Sequence, residues 1–315
     1  MKIFKKVMKW AGLTLALLLV LGGAFIAHSW YFKPVNINIF FARAFLQVAL
    51  ESPEMLSSIH VLEQFGVKGH NSKLDDASMA AGDRLFAHLK ESREILLTYE
   101  DEDLADGDIM SKRIALHMMD MLTEAEKFRF HNYPLNQMFG VQNGFPSFME
   151  STHQVHSVRD AEDYVSRLSQ VGRKFDQVLE GLHHREELGI LPPQFVITKV
   201  LEEMRNFVAT PSEEGILMVS LTDKMKDAGL AESDQQRIAL NARDEIEGTV
   251  YPAYERLIAY FEELDNKVSE NNGVWALPDG EEFYRLAMRL FTTTDYSPEY
   301  LHNFGLSEVD RIQSE

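Results

Sequence analysis

The chain has 315 residues, enough for one large core or two smaller ones, and its 45% apolar and 25% charged content excludes wholesale disorder. The net charge is −18; setting aside Lys2, Lys5, Lys6 and Lys9 at the start leaves 27 of the 31 basic residues against 49 acids, or −22, which disfavours nucleic acid and anionic lipid as partners. With no cysteine, disulfides, thiolate zinc sites, a cysteine nucleophile and a lipidated cysteine are excluded, and an oxidising exterior is compatible.

Residues 1–9 form a basic segment expected in the cytoplasm. From Trp10 to Phe32 there is no Asp, Glu, Lys or Arg, and Leu13 to Leu21 is almost solid aliphatic. Twenty helical residues at about 1.5 Å each span about 30 Å, the hydrocarbon thickness of a bilayer. Trp10 and Trp30-Tyr31 bracket the run, so 10–32 reads as a single transmembrane anchor with the amino terminus inside. The competing reading is a cleaved signal peptide, with Gly22-Gly23-Ala24 or Ala27-His28-Ser29 as the cleavage site. Either way the body, 33–315, is exported: inner membrane, single span, body in the periplasm or outside the cell.

In the body, Phe40 to Leu50 reads as a short buried helix, and Pro53-Glu54 opens another that Gly66 or Gly69 ends. Apolar residues at Met79, Leu85, Phe86, Leu89 and Leu96 predict an amphipathic helix from Lys73 to about Tyr99. Glu100 to Asp108 is a solvated acidic turn, because it lacks the D-x-[DN]-x-[DN]-G spacing of a calcium loop. Ile109 to His131 is a second long helix whose Met110, Met118, Met119 and Met121 read as core filling. Tyr133-Pro134, Gly140, Gly144 and Pro146 predict a packed loop through Phe148. Arg159 to Leu188 is a long helix, Pro192-Pro193 opens the next, and Pro211-Ser212-Glu213-Glu214 another. Ser233 to Leu264 is helical with a kink or break at Tyr251-Pro252. Val274-Trp275-Ala276-Leu277 before Pro278-Asp279-Gly280 suits a short strand and turn. The expected fold is therefore all-α, one predominantly helical unit, with at most one small β-hairpin.

Ser297-Pro298-Glu299 is a helix start: a hydroxyl N-cap, proline at the first position and an acid in the first turn. Leu301, Phe304, Leu306, Val309 and Ile312 then mark an apolar face, yet no glycine, asparagine or proline closes the helix, and Glu308, Asp310 and Glu315 sit where the macrodipole prefers cations. This pattern predicts a body incomplete at its carboxyl end; a frayed terminal helix is the plainer alternative.

No H-E-x-x-H, G-x-S-x-G, phosphate loop or dinucleotide fingerprint occurs. The nearest metal-capable set is Glu150, His153 and His156, where two imidazoles three apart could share a helix face. His183-His184 with Glu186 and Glu187 suits a solvated helix face better than catalysis. Thr292-Thr293-Thr294-Asp295 reads as turn and helix-end hydrogen bonding in preference to substrate contact. The residues present thus assign no catalytic group.

Gly189 to Val196 (GILPPQFV), Tyr251-Pro252-Ala253-Tyr254, Gly273 to Gly280 (GVWALPDG), Tyr284, Thr292 to Asp295 and Ser297 to Ile312 occur in the order of one bacterial family. Over about 125 residues the chain resembles that family, catalogued as domain of unknown function 885, and a looser likeness reaches back to about Tyr133. Its members are similar to zinc-dependent carboxypeptidases of the helical gluzincin type. The resemblance implies a chain roughly twice this length, with a zinc-binding His-Glu segment and a further acidic ligand downstream of the residues matched here. Zinc and a peptide substrate are thus expected of a full-length member only, and substrate contacts among Trp275, Tyr284, Arg289 and Thr292 stay unassigned. Two function classes follow: the amino-terminal portion of a membrane-anchored metallopeptidase-like hydrolase, inactive alone, or a non-catalytic exported binding or scaffold protein.

Overall fold

The structure is a computed structural model that describes residues 2–268 and 273–315; Met1 of the basic segment and residues 269–272 of the body lie outside them. The described residues contain no strand, and the fold is all-α. Its helices are α1 (Lys2–Tyr31), α2 (Ile37–Glu51), α3 (Pro53–Ile59), α4 (Met79–Leu97), α5 (Asp106–Ala125), α6 (Val141–Ser151) and α7 (Val158–Leu168). These are followed by α8 (Val171–Glu187), α9 (Gln194–Ala209), α10 (Ile216–Asp227), α11 (Glu232–Glu245), α12 (Tyr251–Asp265), α13 (Gly280–Thr292) and α14 (Pro298–Ser314). Where the pattern pointed to one unit, the chain separates into two: residues 1–50 with 85–123, and residues 51–84 with 124–315.

In the first unit α1 is long and apolar enough to cross a membrane over Lys6–Tyr31, and its most apolar eighteen-residue window is unburied. Ile37 and Phe40 of α2 meet Leu96 of α4 and Tyr99 in a small core, joined by Leu116 and Met119 of α5. The Tyr99 hydroxyl donates to Pro34 O at 2.6 Å, and the Lys33 ammonium donates to Thr98 O at 2.8 Å, so the segment after α1 is held at two points. The methionines of α5 divide: Met121 is buried, whereas Met110 and Met118 are 58% and 43% exposed, so the expectation of core filling fails for those two.

The second unit carries the large core. Its α12 packs against α8 and α9, α11 against α7 and α10, and α10 against α6, around Tyr164, Phe175, Tyr254 and Phe261. The segment expected as a loop through Phe148 instead contains α6, which runs through Gly144 and Pro146. An interior proline costs a helix about 3 kcal/mol, partly because it leaves the carbonyl four residues back without a donor. Here that carbonyl is Gln142 O, and the fully buried Tyr254 hydroxyl donates to it at 2.5 Å. Phe145, Pro146 and Met149 are buried as a result, so tertiary packing supplies what local sequence denied.

The helix expected over 159–188 is two helices. At the joint the Ser169 hydroxyl and the Gln170 amide donate to Ser166 O at 2.9 and 2.8 Å, taking the carbonyl a continuous helix would offer to Gln170 N. That amide goes to Arg167 O instead. The helix expected from Lys73 starts only at Met79, because Leu74 N and Ala77 N donate to the side chains of Gln170 and Gln177 on α8. The anticipated interruption at Tyr251-Pro252 is present as a π-helical segment, Ile246–Val250, ahead of Pro252 in the first turn of α12.

The small strand and turn expected at Gly273 to Gly280 is absent. Val274–Ala276 is a 3-10 turn, and a Cβ on Gly280 would lie 2.0 Å from Val274 O, so the chain doubles back too tightly for a strand. Asp279 adopts a left-handed conformation to start α13. Ser297 caps α14 as its sequence predicts, accepting from Tyr300 N at 3.1 Å.

Candidate functional site

Two polar cavities in the second unit are candidates. The first, about 300 Å³, lies between the chain from α3 to Asn71 and the approach to α7. The α7 start is a reciprocal cap: Ser157 Oγ accepts from Asp160 N, while the Asp160 carboxylate accepts from Ser157 Oγ and from His156 N. Lys68 adds an ion pair to Asp160 at 2.9 Å. Burial alone would raise the Asp160 pKa, but the hydrogen bonds from Lys68, Ser157 and His156 hold it below the usual carboxylate range.

Behind this cavity lies Arg167, a fully buried guanidinium. It donates to Lys73 O at 2.9 Å, His70 O at 3.2 Å, Ser57 Oγ at 2.5 Å and His153 Nδ1 at 2.7 Å, and it stacks over Phe148 at 4.8 Å. None of these bonds goes to a carboxylate, and burial brings its pKa down to about 10. His153 is locked between partners. Because Arg167 has only protons to give, His153 Nδ1 must accept, so Nε2 carries the proton and donates to Asp160 O at 2.9 Å. Burial and the nearby Arg167 charge lower its pKa to about 3. Lys224 donates to Met149 O and His153 O at 2.7 and 2.8 Å, and burial lowers its pKa to about 8.

The set Glu150, His153, His156 is therefore not assembled as ligands. Both ring nitrogens of His153 are engaged, His156 contributes its backbone amide to Asp160, and Glu150 is exposed on α6. Among the described residues no group of three His, Asp or Glu side chains is placed to hold a metal. His60, left-handed at the end of α3, and Glu63, ion-paired to His70 at 2.9 Å, complete the cavity wall. The arrangement can bind a small polar molecule, and its serine-carboxylate pair, Ser157 with Asp160, is spent on the cap of α7.

The second cavity, about 320 Å³, is framed by α13 and the start of α14. Arg285, Arg289, Glu124 and Asp295 line it, and Arg289 is ion-paired to Glu124. Of the four residues considered for substrate contact, Arg289 faces this cavity, while Trp275 and Tyr284 are 77% and 46% exposed. The Thr292 hydroxyl is spent on Met288 O at 2.8 Å and on the turn at Thr294, as the turn reading predicts. On α8, His183 and His184 stand 3.9 and 3.6 Å from Glu186 and Glu187 respectively and stack edge-on against Tyr260 and Phe130. They are helix-face residues.

Sequence reasoning missed Arg167 and Lys224. Arg167 had a readable signal: with Tyr164, Leu168 and Val171 it falls on the buried stripe of α7 and α8, where a lone cation must find acceptors. Lys224 had none, since the carbonyls it caps come from a distant helix.

The fold is thus that of an all-helical protein with an apolar amino-terminal helix and two polar clefts. The chain belongs to the family described as bacterial protein of unknown function (DUF885), which matches residues 61–315. It is similar in fold to a solved structure described as the putative lipoprotein from Colwellia psychrerythraea, with TM-score 0.75 and 18% identity over 86% of this chain and 48% of that chain. At that identity the likeness is of fold alone, and the chain spans about half the length of that structure. Among curated proteins none matches the chain.

Proposed function

We propose that this chain is the amino-terminal helical portion of an exported, membrane-anchored hydrolase of metallopeptidase type, which supplies scaffold and cleft wall and is inactive alone. The observation that carries this reading is α14. It buries none of its residues, and Tyr300, Phe304, Leu306, Val309 and Ile312 are each exposed by half or more. Tyr296, Tyr300 and Phe304 stack on one another, with centroids 4.4 and 6.4 Å apart, and each keeps about half its surface exposed. Phe304, Val309 and Ile312 share one face of α14, and an exposed apolar helix face ordinarily packs against another element. The 48% share of the similar structure supports further chain in a longer protein as the covering element.

The anchor would be α1, since without cysteine these 315 residues offer no thiol for lipid attachment. The body would then lie in the periplasm or outside the cell. Zinc, a general base and a peptide-binding subsite would come from residues beyond those present, because the Glu150, His153, His156 set does not fit a metal.

The test is metal content after dialysis, with a peptidase assay, on this chain and on the chain joined to the second half of a longer family member. No stoichiometric zinc and no cleavage from the chain, with both restored in the joined protein, is the expected result. One tightly held zinc per chain of the short form, lost on His153→Ala or His156→Ala, would overturn it. A second reading is a non-catalytic exported binding or scaffold protein, for which the two polar cavities would serve as binding clefts. A joined protein that stays metal-free and inactive would select it.

A further inference from the structure

The end of α1 is not a loose tether. The Arg43 side chain, on the second turn of α2 and only 6% exposed, donates to Phe32 O at 2.8 Å and to Ser29 O and Trp30 O at 3.4 Å each. Carbonyls at a helix carboxyl end lack intrahelical donors and carry partial negative charge, so one guanidinium nitrogen serves Phe32 O directly, shares its second proton between Ser29 O and Trp30 O, and offsets the dipole at once. Tyr99 and Lys33 add the two further ties at Pro34 and Thr98, so α2 is fixed in place at the point where the chain leaves α1.

Two facts then bound the position of α2. The most apolar window of α1 is unburied, so α2 does not fold back along the span. Yet Arg43 lies within hydrogen-bond distance of the carbonyls of Ser29 and Trp30, beside the Trp30-Tyr31 pair that marks the interface. The beginning of α2 therefore sits at the level of the headgroups if α1 spans. The outward residues of α2 suit that level. From Ile37 to Leu50 its one ionisable side chain is the buried Arg43, and Phe45, Leu46, Val48 and Leu50 are 48%, 38%, 38% and 54% exposed. An uncharged helix with apolar residues outward is costly in water and favourable at the boundary of headgroups and acyl chains.

We infer that α2 is an interfacial helix, with Phe45, Leu46, Val48 and Leu50, the exposed residues around the buried Ala49, seated in the outer headgroup region of the same membrane that α1 crosses. The occupant is lipid, and Arg43 couples the two elements so that the first unit is docked on the bilayer instead of swinging from a single span. This rests on the anchor reading of α1, and the negative body implies that attraction to anionic headgroups contributes little.

The absence of cysteine allows a direct test. Single-cysteine forms of the full chain, Leu18→Cys in the span, Phe45→Cys and Leu46→Cys on α2, and Glu94→Cys as a water-facing reference, are labelled with an environment-sensitive fluorophore. They are then reconstituted in phosphatidylcholine vesicles with lipids spin-labelled at shallow or deep positions. The expected result is deep quenching at position 18, shallow quenching at 45 and 46 at least threefold above position 94, and little change when phosphatidylglycerol is added. Quenching at 18 with 45 and 46 no different from 94 would overturn the inference while leaving the anchor intact. No quenching at 18 would remove the anchor and the inference with it. Disulfide-linked dimers of the unlabelled Phe45→Cys form on mild oxidation, together with no lipid quenching of the labelled form, would overturn it in favour of a second copy of this chain.

Discussion

Replacing Arg167 with methionine keeps an unbranched stem of similar reach in the core and removes the guanidinium alone. The consequences can be worked bond by bond. Ser57 Oγ keeps its own bond to Asn71, and His70 O keeps its bond from Lys73 N. His153 Nδ1 becomes a buried acceptor without a donor, and Lys73 O, part-buried on an exposed residue, loses the donor it has here. Each such acceptor costs about 1–3 kcal/mol. Relief of the buried charge, whose pKa is already depressed to about 10, offsets part of this. The net expectation is a loss of about 2–4 kcal/mol, or roughly 4–16 °C in melting temperature for a unit of this size. Thermal unfolding of the full chain in detergent, followed by near-ultraviolet circular dichroism, reads it. In the Arg167→Met background, His153→Leu should cost less than it does alone, since one orphan disappears. A melting shift under about 2 °C, with the two changes simply additive, would refute the claim that this guanidinium clamps the chain after α3 to α7.

Three sharper consequences follow. His153 titrates near 3 when folded and near 6.5 when unfolded, so its contribution is complete above pH 6.5 and is lost as pH falls toward 3. Melting temperature should therefore drop more steeply between pH 6.5 and 5 than in His153→Gln, and equal slopes would show that the imidazole is not held neutral. Tyr254→Phe leaves Gln142 O without a donor beside Pro146 and should cost about 1–3 kcal/mol, with the loss seen first as faster amide exchange in α6; unchanged exchange there would contradict it. Charging α14 with Phe304→Glu and Ile312→Glu should reduce binding of a hydrophobic dye and improve solubility with little shift in melting temperature, because both side chains keep more than half their surface exposed and Phe304 gives up only its stack on Tyr300. A destabilisation of more than about 1 kcal/mol would mean that the stripe is already covered.

Local chemistry determined the elements whose hydrogen bonds close within a few residues. The uncharged run before Phe32, the Ser297-Pro298 start and the interruption at Tyr251-Pro252 needed no distant partner, and the structure contains all three. The turn reading holds for the hydroxyls of Thr292 to Thr294 for the same reason, while Asp295 lines the second cavity instead. Failures fall where a carbonyl or amide is served from far along the chain. Pro146 and Gly144 spoke for a loop, and the Tyr254 hydroxyl made a helix possible. Ser166 to Gln170 looked helical, and side chains diverted the Ser166 carbonyl. Gly280 turned an apparent strand into a 3-10 turn by backbone proximity alone.

The same division holds for the candidate site. His153 and His156 are visible as a possible pair, whereas the Ser157-Asp160 cap is missed in a helix expected to begin only at Arg159. Only the fold aims Arg167 at Nδ1 of His153 and Asp160 O at Nε2, which converts a candidate ligand into a neutral, fully bonded core residue. Sequence spacing records which groups can share a helix face; the donors and acceptors they meet come from other helices, and those bonds settle protonation, burial and chemistry. The carboxyl-end stripe shows the reverse case: its periodicity was legible as a helix face, and the tertiary structure decided that nothing among the described residues covers it.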